Sequence, residues 1–391
     1  MSDVITETLA TLRDDPAVVE ALARIVREDA KTLADQCAAT EIAAPLEGEA
    51  QRAAWLAERL HACGTEVPFP DAAGNVRACL PGEATRAPIV LSAHLDTVFA
   101  ADTALRVQRD DGRLRAPGIS DNSRGLAALL RAAAVLAPLP RRHPLELVGT
   151  VGEEGAGDLR GVKHLFQDIE FRPAAFVAVD GAGMRRIVHR AVGSRRLRIR
   201  MNGPGGHSWS DRERPNPVHA LGSVIAGLEA LRRASGRNVA ISVGRVGGGT
   251  SINAIPAEAW LELDLRAESS PAIAALEQRT RRLVDAAVAS HPPLRADIEV
   301  MGDRPGGALA EDHLLVRAAA EVTRALGVEP ELVASSTDAN VPLALELPAL
   351  ALGAGGEAGG THTLAEWYRN EGGATGIQRL VLTVLLIDRL L

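Results

Sequence analysis

His94 and Asp96 stand two residues apart, in the segment Ser92-Ala-His-Leu-Asp96 that follows the apolar, β-branched run 88–91. In an extended chain, side chains at positions i and i+2 point to the same side, so these two can act together. A metal-bound histidine usually donates its second ring N–H to a carboxylate or a carbonyl group, and Asp96 can play that part for His94. Taken alone, an isolated surface pair is the alternative interpretation of this motif.

Three further carboxylates occupy comparable positions. Asp121 lies between turn-forming residues and the start of a helical stretch, where a carboxylate could bridge two cations or act as a helix N-cap. Glu153 and Glu154 follow the apolar run 145–151. Because neighbouring side chains on an extended backbone diverge, one of the two can bind a metal ion while the other moves protons. A solvated acidic loop is the alternative for this pair.

Asp180 follows the run 176–179, and His362 lies in a Gly-Gly-Thr-His-Thr segment after a later strand. Each of these two could be an ordinary turn residue. Together with the preceding positions, however, they place carboxylates and histidines repeatedly past the carboxyl ends of apolar strands, the edge at which open α/β sheets bind ligands. Nitrogen and oxygen donors without a thiolate suit two zinc ions or related divalent cations.

The elements that must position these residues alternate between helices and strands. Helical periodicity occupies the first 65 residues and 125–136, whereas apolar strands are predicted at 88–91, 145–151 and 174–179. This alternation is typical of an α/β sheet covered by helices.

The pattern changes near Gly193. Strands and helices then follow in the order β-α-β-β-α-β, the ferredoxin-like split arrangement, and the earlier alternation returns after Pro305. The sequence thus predicts a discontinuous α/β domain formed by 1–192 and 304–391, interrupted by an inserted α+β domain at 193–303.

The composition excludes several classes of protein. Among 391 residues, 43 basic and 50 acidic side chains give a formal charge of −7, and aromatic residues make up 3%, so a nucleic-acid-binding surface is not expected. Three cysteines without a CxxC pair indicate neither a disulfide framework nor a cysteine-type zinc site. The first residues lack a signal-peptide pattern, and the longest strongly apolar stretch, 380–387, is too short for a membrane span. We therefore expect a cytoplasmic protein with neither a membrane nor a nucleic-acid partner.

Five short motifs occur in a fixed order along the chain: His94-Leu-Asp96-Thr-Val, Gly118-Ile-Ser-Asp-Asn122, Gly152-Glu-Glu-Gly155, Asp180-Gly and Gly360-Thr-His362-Thr. In this respect the sequence resembles the family of di-zinc exopeptidases and deacylases that includes aminoacylase, peptidase T, glutamate carboxypeptidase and succinyl-diaminopimelate desuccinylase. The resemblance covers essentially the whole chain. It implies a zinc-exopeptidase-like catalytic domain with an inserted lid or dimerisation domain.

The resemblance also implies a centre of two divalent metal ions, zinc in the first place, with manganese or cobalt as the other options. One ion would be held by His94 and Asp180. The other would be held by Glu154 and His362, and Asp121 would bridge the two ions.

For catalysis, the resemblance implies that Asp96 orients the first histidine and that Glu153 is the general base acting on the bridging water. In the inserted domain, His207 resembles a family histidine that reaches the active site of the partner subunit, which implies a homodimer formed through this domain. There it would help to stabilise the tetrahedral oxyanion. Asn253 and Arg266 resemble family residues that contact the substrate, the arginine by meeting a carboxylate.

The expected function is hydrolysis of an amide bond in a small substrate, such as a short peptide. Asp180 in place of Glu, together with the segments 336–340 and 360–368, resembles peptidase T-like members. Deacylation of N-acyl amino acids, or hydrolytic removal of an amine from a small non-peptide, aromatic substrate, is the alternative within the same chemistry. A binding protein on an inactive hydrolase scaffold is a further alternative, against which the complete set of ligands and base argues.

Overall fold

The computed structural model describes residues 2–391. Within this range there are eleven α-helices, numbered in chain order: α1 (Ser2–Asp14), α2 (Pro16–Arg27), α3 (Asp29–Thr40), α4 (Ala50–Ala62), α5 (Ser123–Leu136), α6 (Arg160–Leu165), α7 (Pro217–Ala234), α8 (Ser270–Ala289), α9 (Leu314–Ala325), α10 (Asn340–Ala344) and α11 (Gly373–Leu390).

The same range contains nineteen β-strands: β1 (Phe69–Pro70), β2 (Val76–Leu80), β3 (Ile89–His94), β4 (Gln108–Asp110), β5 (Arg113–Arg115), β6 (Leu145–Thr150), β7 (Ala175–Val179), β8 (Arg186–Ala191), β9 (Gly193–Asn202), β10 (Gly206–His207), β11 (Val239–Gly248), β12 (Ala254–Ile255), β13 (Glu258–Ala267), β14 (Arg295–Arg304), β15 (Gly307–Ala308), β16 (Glu331–Ser335), β17 (Ala349–Leu352), β18 (Glu357–Gly359) and β19 (Trp367–Arg369). A short 3₁₀ turn lies at Gly155–Gly157.

The central sheet is mixed and has nine strands. Eight of them follow the order β1-β2-β6-β3-β7-β17-β8-β15, and β16 pairs with β8. The four middle strands, β6, β3, β7 and β17, are mutually parallel, and every residue in them is buried. Burial of whole apolar runs is typical of parallel strands covered on both faces. These four strands end at one edge of the sheet, here called the carboxyl edge, and begin at the opposite amino edge.

Helices cover the central sheet and contribute to its core. α4 contacts β2, α5 contacts β3 and β7, and α9 and α10 contact β17. α11 packs against α1, α2, α5 and α9 and is buried along most of its length, as its almost uniformly apolar sequence requires. No helix in residues 2–391 is both long enough and apolar enough to cross a membrane.

A second, small sheet of four strands has the order β18-β19-β5-β4. β5 and β19 are antiparallel, with Arg115 opposite Trp367. Because antiparallel strands run in opposite directions, the segment that follows β5 lies beside the segment that precedes β19. This pairing brings 116–122 next to 360–366, two segments that carry predicted site residues.

The described chain divides into two compact units, one formed by the residues up to Arg190 together with Ala308–Leu391, and the other by Ala191–Gly307. The second unit has an antiparallel sheet of order β11-β13-β9-β14, against which α7 and α8 pack through an apolar core. Its elements follow the predicted β-α-β-β-α-β order. The predicted fold class, a mixed sheet covered by helices with an inserted ferredoxin-like unit, is confirmed.

Candidate metal centre

Residues at the carboxyl edge of the central sheet converge on one place. His94 is the last residue of β3, Asp180 follows β7, and Glu153 and Glu154 follow β6. His362 lies in the loop after β18. Since β6, β3 and β7 are parallel neighbours, the ends of these strands deliver their side chains to the same point.

Asp121 stands between the two histidines. Its Oδ1 is 3.0 Å from His94 Nε2, and its Oδ2 is 3.2 Å from His362 Nε2. The helix N-cap interpretation does not apply to it, because Asn122 is the N-cap of α5 and accepts a hydrogen bond from Gly125 N at 3.2 Å. Asp121 therefore has one carboxylate oxygen available on each side.

Each side of Asp121 is completed by a second carboxylate. Asp180 Oδ1 is 3.9 Å from His94 Nε2, and Glu154 Oε1 is 2.8 Å from His362 Nε2. The donor residues form two groups of three, with Asp121 in both: one also contains His94 and Asp180, and the other also contains Glu154 and His362. Within each group, one donor atom from every residue lies within 4.8 Å of the others. Ligand atoms held about 2.0–2.2 Å from one zinc ion have spacings of this kind. The donor set and its geometry thus fit two divalent cations that share Asp121.

The charges of this cluster support the same conclusion. Hydrogen bonds to Asp121 and Glu154 raise the pKa of the His362 imidazole to about 10. Burial and the nearby Asp121 carboxylate raise the pKa of Asp180 to about 7. Burial opposes ionisation of Asp121, but hydrogen bonds from His362 and His94 outweigh it and hold the carboxyl pKa well below its usual range. Without metal the protons of the imidazoles balance these carboxylates, and bound divalent cations would take their place, because metal binding releases protons from its ligands.

Glu153, the predicted base, is buried at 5% exposure and forms a third cluster of donor atoms with His94 and Glu154. The carboxylate of Asp96 contacts the main chain of both glutamates. Its Oδ1 accepts a hydrogen bond from Glu153 N at 2.9 Å, and its Oδ2 accepts one from Glu154 N at 2.8 Å. The ring nitrogen Nδ1 of His94 lies 3.1 Å from the main-chain oxygen of Asp96 and 3.7 Å from its carboxylate. Asp96 thus contacts His94 mainly through its carbonyl group, while its carboxylate positions the two glutamates.

Two buried residues that support the site were not singled out in the sequence. Arg52 of α4 donates from Nη1 to Leu95 O at 2.8 Å, and from Nη2 to Ile42 O at 2.6 Å, so it holds the peptide between the two residues of the HxD motif. Its burial lowers the pKa of the guanidinium to about 10. An arginine in an amphipathic helix gives no signal that distinguishes it from a surface residue.

Glu366 is the other supporting residue. It is 0% exposed, and its carboxylate accepts hydrogen bonds from the N–H groups of Gly118, Ser120 and Asp121. Burial raises the pKa of the Glu366 carboxyl to about 7, while these N–H groups oppose the shift. It lies within the peptidase T-like segment 360–368, but its type and spacing alone do not indicate a role.

The other predicted residues belong to the Ala191–Gly307 unit. His207 is exposed, and its Nδ1 accepts hydrogen bonds from Trp209 N at 3.1 Å and Ser210 N at 3.4 Å. An acceptor at Nδ1 leaves the proton of a neutral imidazole on Nε2. Asn253 is adjacent, because its main-chain oxygen accepts a hydrogen bond from Ser208 N at 3.0 Å.

Arg266 does not join this pair. Arg266 lies near the end of β13, a strand of 10 residues. The short strand β12 pairs with β10, which contains His207, and β12 lies just before the start of β13. At about 3.3 Å per residue, Arg266 is roughly 30 Å along the sheet from that end. Its Nε instead donates to Asp264 Oδ2 at 2.7 Å.

The fold and the site define a class of protein, namely α/β proteins with a candidate dinuclear metal centre at the carboxyl edge of a mixed sheet. A sequence model described as peptidase family M20/M25/M40 matches residues 90–386, and the chain belongs to this family. The resemblance inferred from the five motifs is therefore confirmed, and the protein is an enzyme that hydrolyses amide bonds.

Known proteins similar to this chain differ in their named activities. A Mycobacterium tuberculosis protein assigned as the succinyl-diaminopimelate desuccinylase DapE is 28% identical over 275 residues, which are 68% of this chain and 74% of the relative. The structure of the aminopeptidase PepT from Bacillus cereus aligns with a TM-score of 0.77 at 22% identity, covering 94% of this chain and 98% of the other. A Bacillus subtilis structure described as a dinuclear metal-binding peptidase of the M20 family aligns with a TM-score of 0.70 at 17% identity, covering 95% and 99%. At these identities the structures establish the shared fold.

Proposed function

We propose that this protein is a metal-dependent exopeptidase of short peptides. The observation that carries the proposal is the Asp121 carboxylate, which faces His94 on one side and His362 on the other. In the proposed assignment, His94 and Asp180 hold one cation. Glu154 and His362 hold the second, and Asp121 serves both.

When bound there, two divalent cations would supply polarisation of the scissile carbonyl group and a lowered pKa of a water molecule. Glu153 takes the proton of the attacking water and passes it to the leaving amine. Asp96 keeps Glu153 in place through the main-chain hydrogen bond at 2.9 Å, and through Glu154 N at 2.8 Å it also places a metal ligand. One buried carboxylate thus aligns the base with the metal centre.

For His207 we propose a role in a second copy of the chain. With Nδ1 accepting from two main-chain N–H groups, the neutral ring carries its proton on Nε2, which could donate to an oxyanion. The resemblance of the segment 203–208 to the family motif supports action in the active site of the partner subunit, and hence a homodimer. Asn253 beside it is the proposed substrate contact. Arg266 is proposed as a substrate contact on the resemblance alone.

Subunit mixing tests the proposed homodimer. Chains with His207→Ala and chains with Glu153→Ala are each expected to be inactive, whereas heterodimers should regain one working site in two. The control is a labelled pair that demonstrates subunit exchange. Exchange without any recovery of activity would contradict action in trans.

Deacylation of an N-acyl amino acid is the second candidate, because the Mycobacterium tuberculosis relative is assigned as a desuccinylase. A substrate panel decides between the two activities. The metal-free protein is reloaded with Zn²⁺, Mn²⁺ or Co²⁺ and offered di- and tripeptides, N-acetyl and N-succinyl amino acids, and aryl amides. Free amino acids released from peptides only would support the exopeptidase, and turnover of acyl amino acids only would replace it with the deacylase.

A further inference from the structure

The segment that bears Asp121 is held by a carboxylate from another part of the chain. Glu366 Oε2 accepts a hydrogen bond from Gly118 N at 2.8 Å. Its Oε1 accepts two more, from Ser120 N at 2.9 Å and from Asp121 N at 3.0 Å. Main-chain N–H groups that point at one carboxylate form charge-assisted hydrogen bonds, which are shorter and stronger than neutral ones.

The same residue is tied to the second histidine by the chain itself. Glu366 follows His362 by four residues, and β19 begins directly after Glu366. β19 pairs with β5, and the segment that bears Asp121 begins directly after β5. A further main-chain hydrogen bond joins Ala116 N to Glu366 O at 3.2 Å. The loop that carries His362 and the loop that carries Asp121 are therefore fastened to each other at Glu366.

This connection controls a distance that matters to the site. His362 Nε2 lies 3.2 Å from Asp121 Oδ2, yet neither residue has its position set by a central strand of the sheet. His94, by contrast, is the last residue of the buried strand β3. The part of the cluster that is built from loops thus depends on Glu366 for its alignment.

We propose that Glu366 is a positioning residue that sets the place of Asp121 between the two cations. The proposal rests on the proposed function, since it takes Asp121 as the shared ligand. We do not assign Glu366 as a ligand, because both of its carboxylate oxygens accept hydrogen bonds from main-chain N–H groups and neither belongs to the groups of donor atoms described above. Loss of this carboxylate should weaken metal binding rather than merely destabilise the fold.

Glu366→Gln tests the proposal in the full-length protein. The amide oxygen can still accept from Ser120 N and Asp121 N, but its NH₂ group would face Gly118 N, donor against donor. The matched control is Asp388→Asn. Asp388 is another buried carboxylate, 2% exposed, that accepts hydrogen bonds from Arg142 N and His143 N. Those two residues lead into β6 at the amino edge, about 20 Å from the residues at its other end.

The readouts are Zn²⁺ affinity, measured on metal-free protein by competition with a chromophoric chelator, and the visible absorption spectrum of the Co²⁺-loaded protein. Wild type should bind two ions. Glu366→Gln should lose roughly 10–100-fold in affinity for at least one of them, with a changed Co²⁺ spectrum, as mutations of residues that orient ligands typically do. Asp388→Asn should match the wild type in both readouts while its melting temperature falls.

The outcomes separate the inference from the proposed function. Wild type that binds fewer than two ions would overturn both. Wild type that binds two ions, with unchanged affinity and spectrum in Glu366→Gln, would overturn the role of Glu366 alone. If Glu366→Gln does not fold, Glu366→Asp retains the charge on a side chain shorter by one methylene. It should then show a smaller affinity loss in the same direction, and unchanged binding in that variant would overturn the inference.

Discussion

At the amino edge of the central sheet, Asp388 of α11 accepts hydrogen bonds from the main-chain N–H groups of Arg142 and His143, whereas at the carboxyl edge Glu366 accepts three from the segment that bears Asp121. The two carboxylates are buried to a similar degree, at 2% and 0% exposure. Each satisfies N–H groups that would otherwise be buried without a partner, which is costly.

The two edges differ in what lies beside this hydrogen bonding. At the amino edge the ring of His143 faces a main-chain oxygen, with Nδ1 2.7 Å from Ala87 O. At the carboxyl edge the rings of His94 and His362 both face Asp121. A buried carboxylate surrounded by N–H groups is thus an ordinary structural feature. The distinguishing mark of the candidate site is that carboxylates and histidines converge on one another and form a donor set that suits divalent cations.

Removal of the metal ions should have the largest effect and should act on the carboxyl edge only. Exhaustive chelation is expected to abolish turnover, since the proposed mechanism relies on the cations to activate the water as well as to polarise the carbonyl, and to lower the melting temperature because the carboxylates are left to repel. Activity and metal content are measured on the same sample before and after Zn²⁺ is added back. Full activity in protein shown to be free of metal would contradict the dinuclear mechanism.

Glu153→Gln should have the next largest effect. It removes the proposed base without removing an assigned ligand, so kcat should fall about 10²–10⁴-fold, the usual contribution of general base catalysis. Metal content should stay at the wild-type value. The control is Glu49→Gln. Glu49 is another buried glutamate, but it pairs with Arg160 and not with a histidine, so this variant should keep the wild-type kcat. Near-wild-type turnover in Glu153→Gln would assign the proton transfer to another group.

The five proposed ligands could be selected from the sequence because four of them follow apolar runs that become strands or lie in glycine-rich turns. The sequence allows two roles for Asp121, a ligand that bridges two cations or a helix N-cap. The structure excludes the cap, because Asn122 is the N-cap of α5. The domain limits and the separate site roles stay predictions. What the sequence reveals best is therefore chemistry attached to long, strongly apolar elements.

Glu366 and Arg52 show why the rest could not be predicted. The partners of Glu366 are 245 to 248 residues away in the chain, and they meet it through β5 and β19, strands of three residues each. Such short strands have no periodicity to detect. Arg52 contacts Leu95 O across 43 residues from a helix whose other charged residues are more exposed. Long-range hydrogen bonds to the main chain leave no pattern in the side-chain sequence.

Arg52→Met should have an intermediate effect, because Arg52 supports the carboxyl edge from a distance. The change removes the buried hydrogen bond to Leu95 O and the part-buried one to Ile42 O, which should cost about 1–3 kcal/mol of unfolding free energy. The peptide between His94 and Asp96 loses its support, so kcat/KM should fall on the order of tenfold through misalignment. Urea unfolding and steady-state kinetics measure the two effects. A stability loss with unchanged kcat/KM would place Arg52 with the purely structural residues.

Asp388→Asn should have the smallest effect on catalysis, because its hydrogen bonds lie at the amino edge. The Asn side-chain oxygen at the place of Oδ1 still accepts from His143 N at 2.7 Å and from Arg142 N at 3.0 Å, but its NH₂ group would face Arg142 N, which lies 3.1 Å from Oδ2. The unfolding free energy should therefore fall by about 1 kcal/mol, the difference between hydrogen bonds to a charged and to a neutral acceptor. At a temperature well below the unfolding transition, kcat and KM should equal the wild-type values. A change in kcat beyond experimental error would mean that the two edges are coupled through β6, and that the carboxyl edge is not an independent functional region.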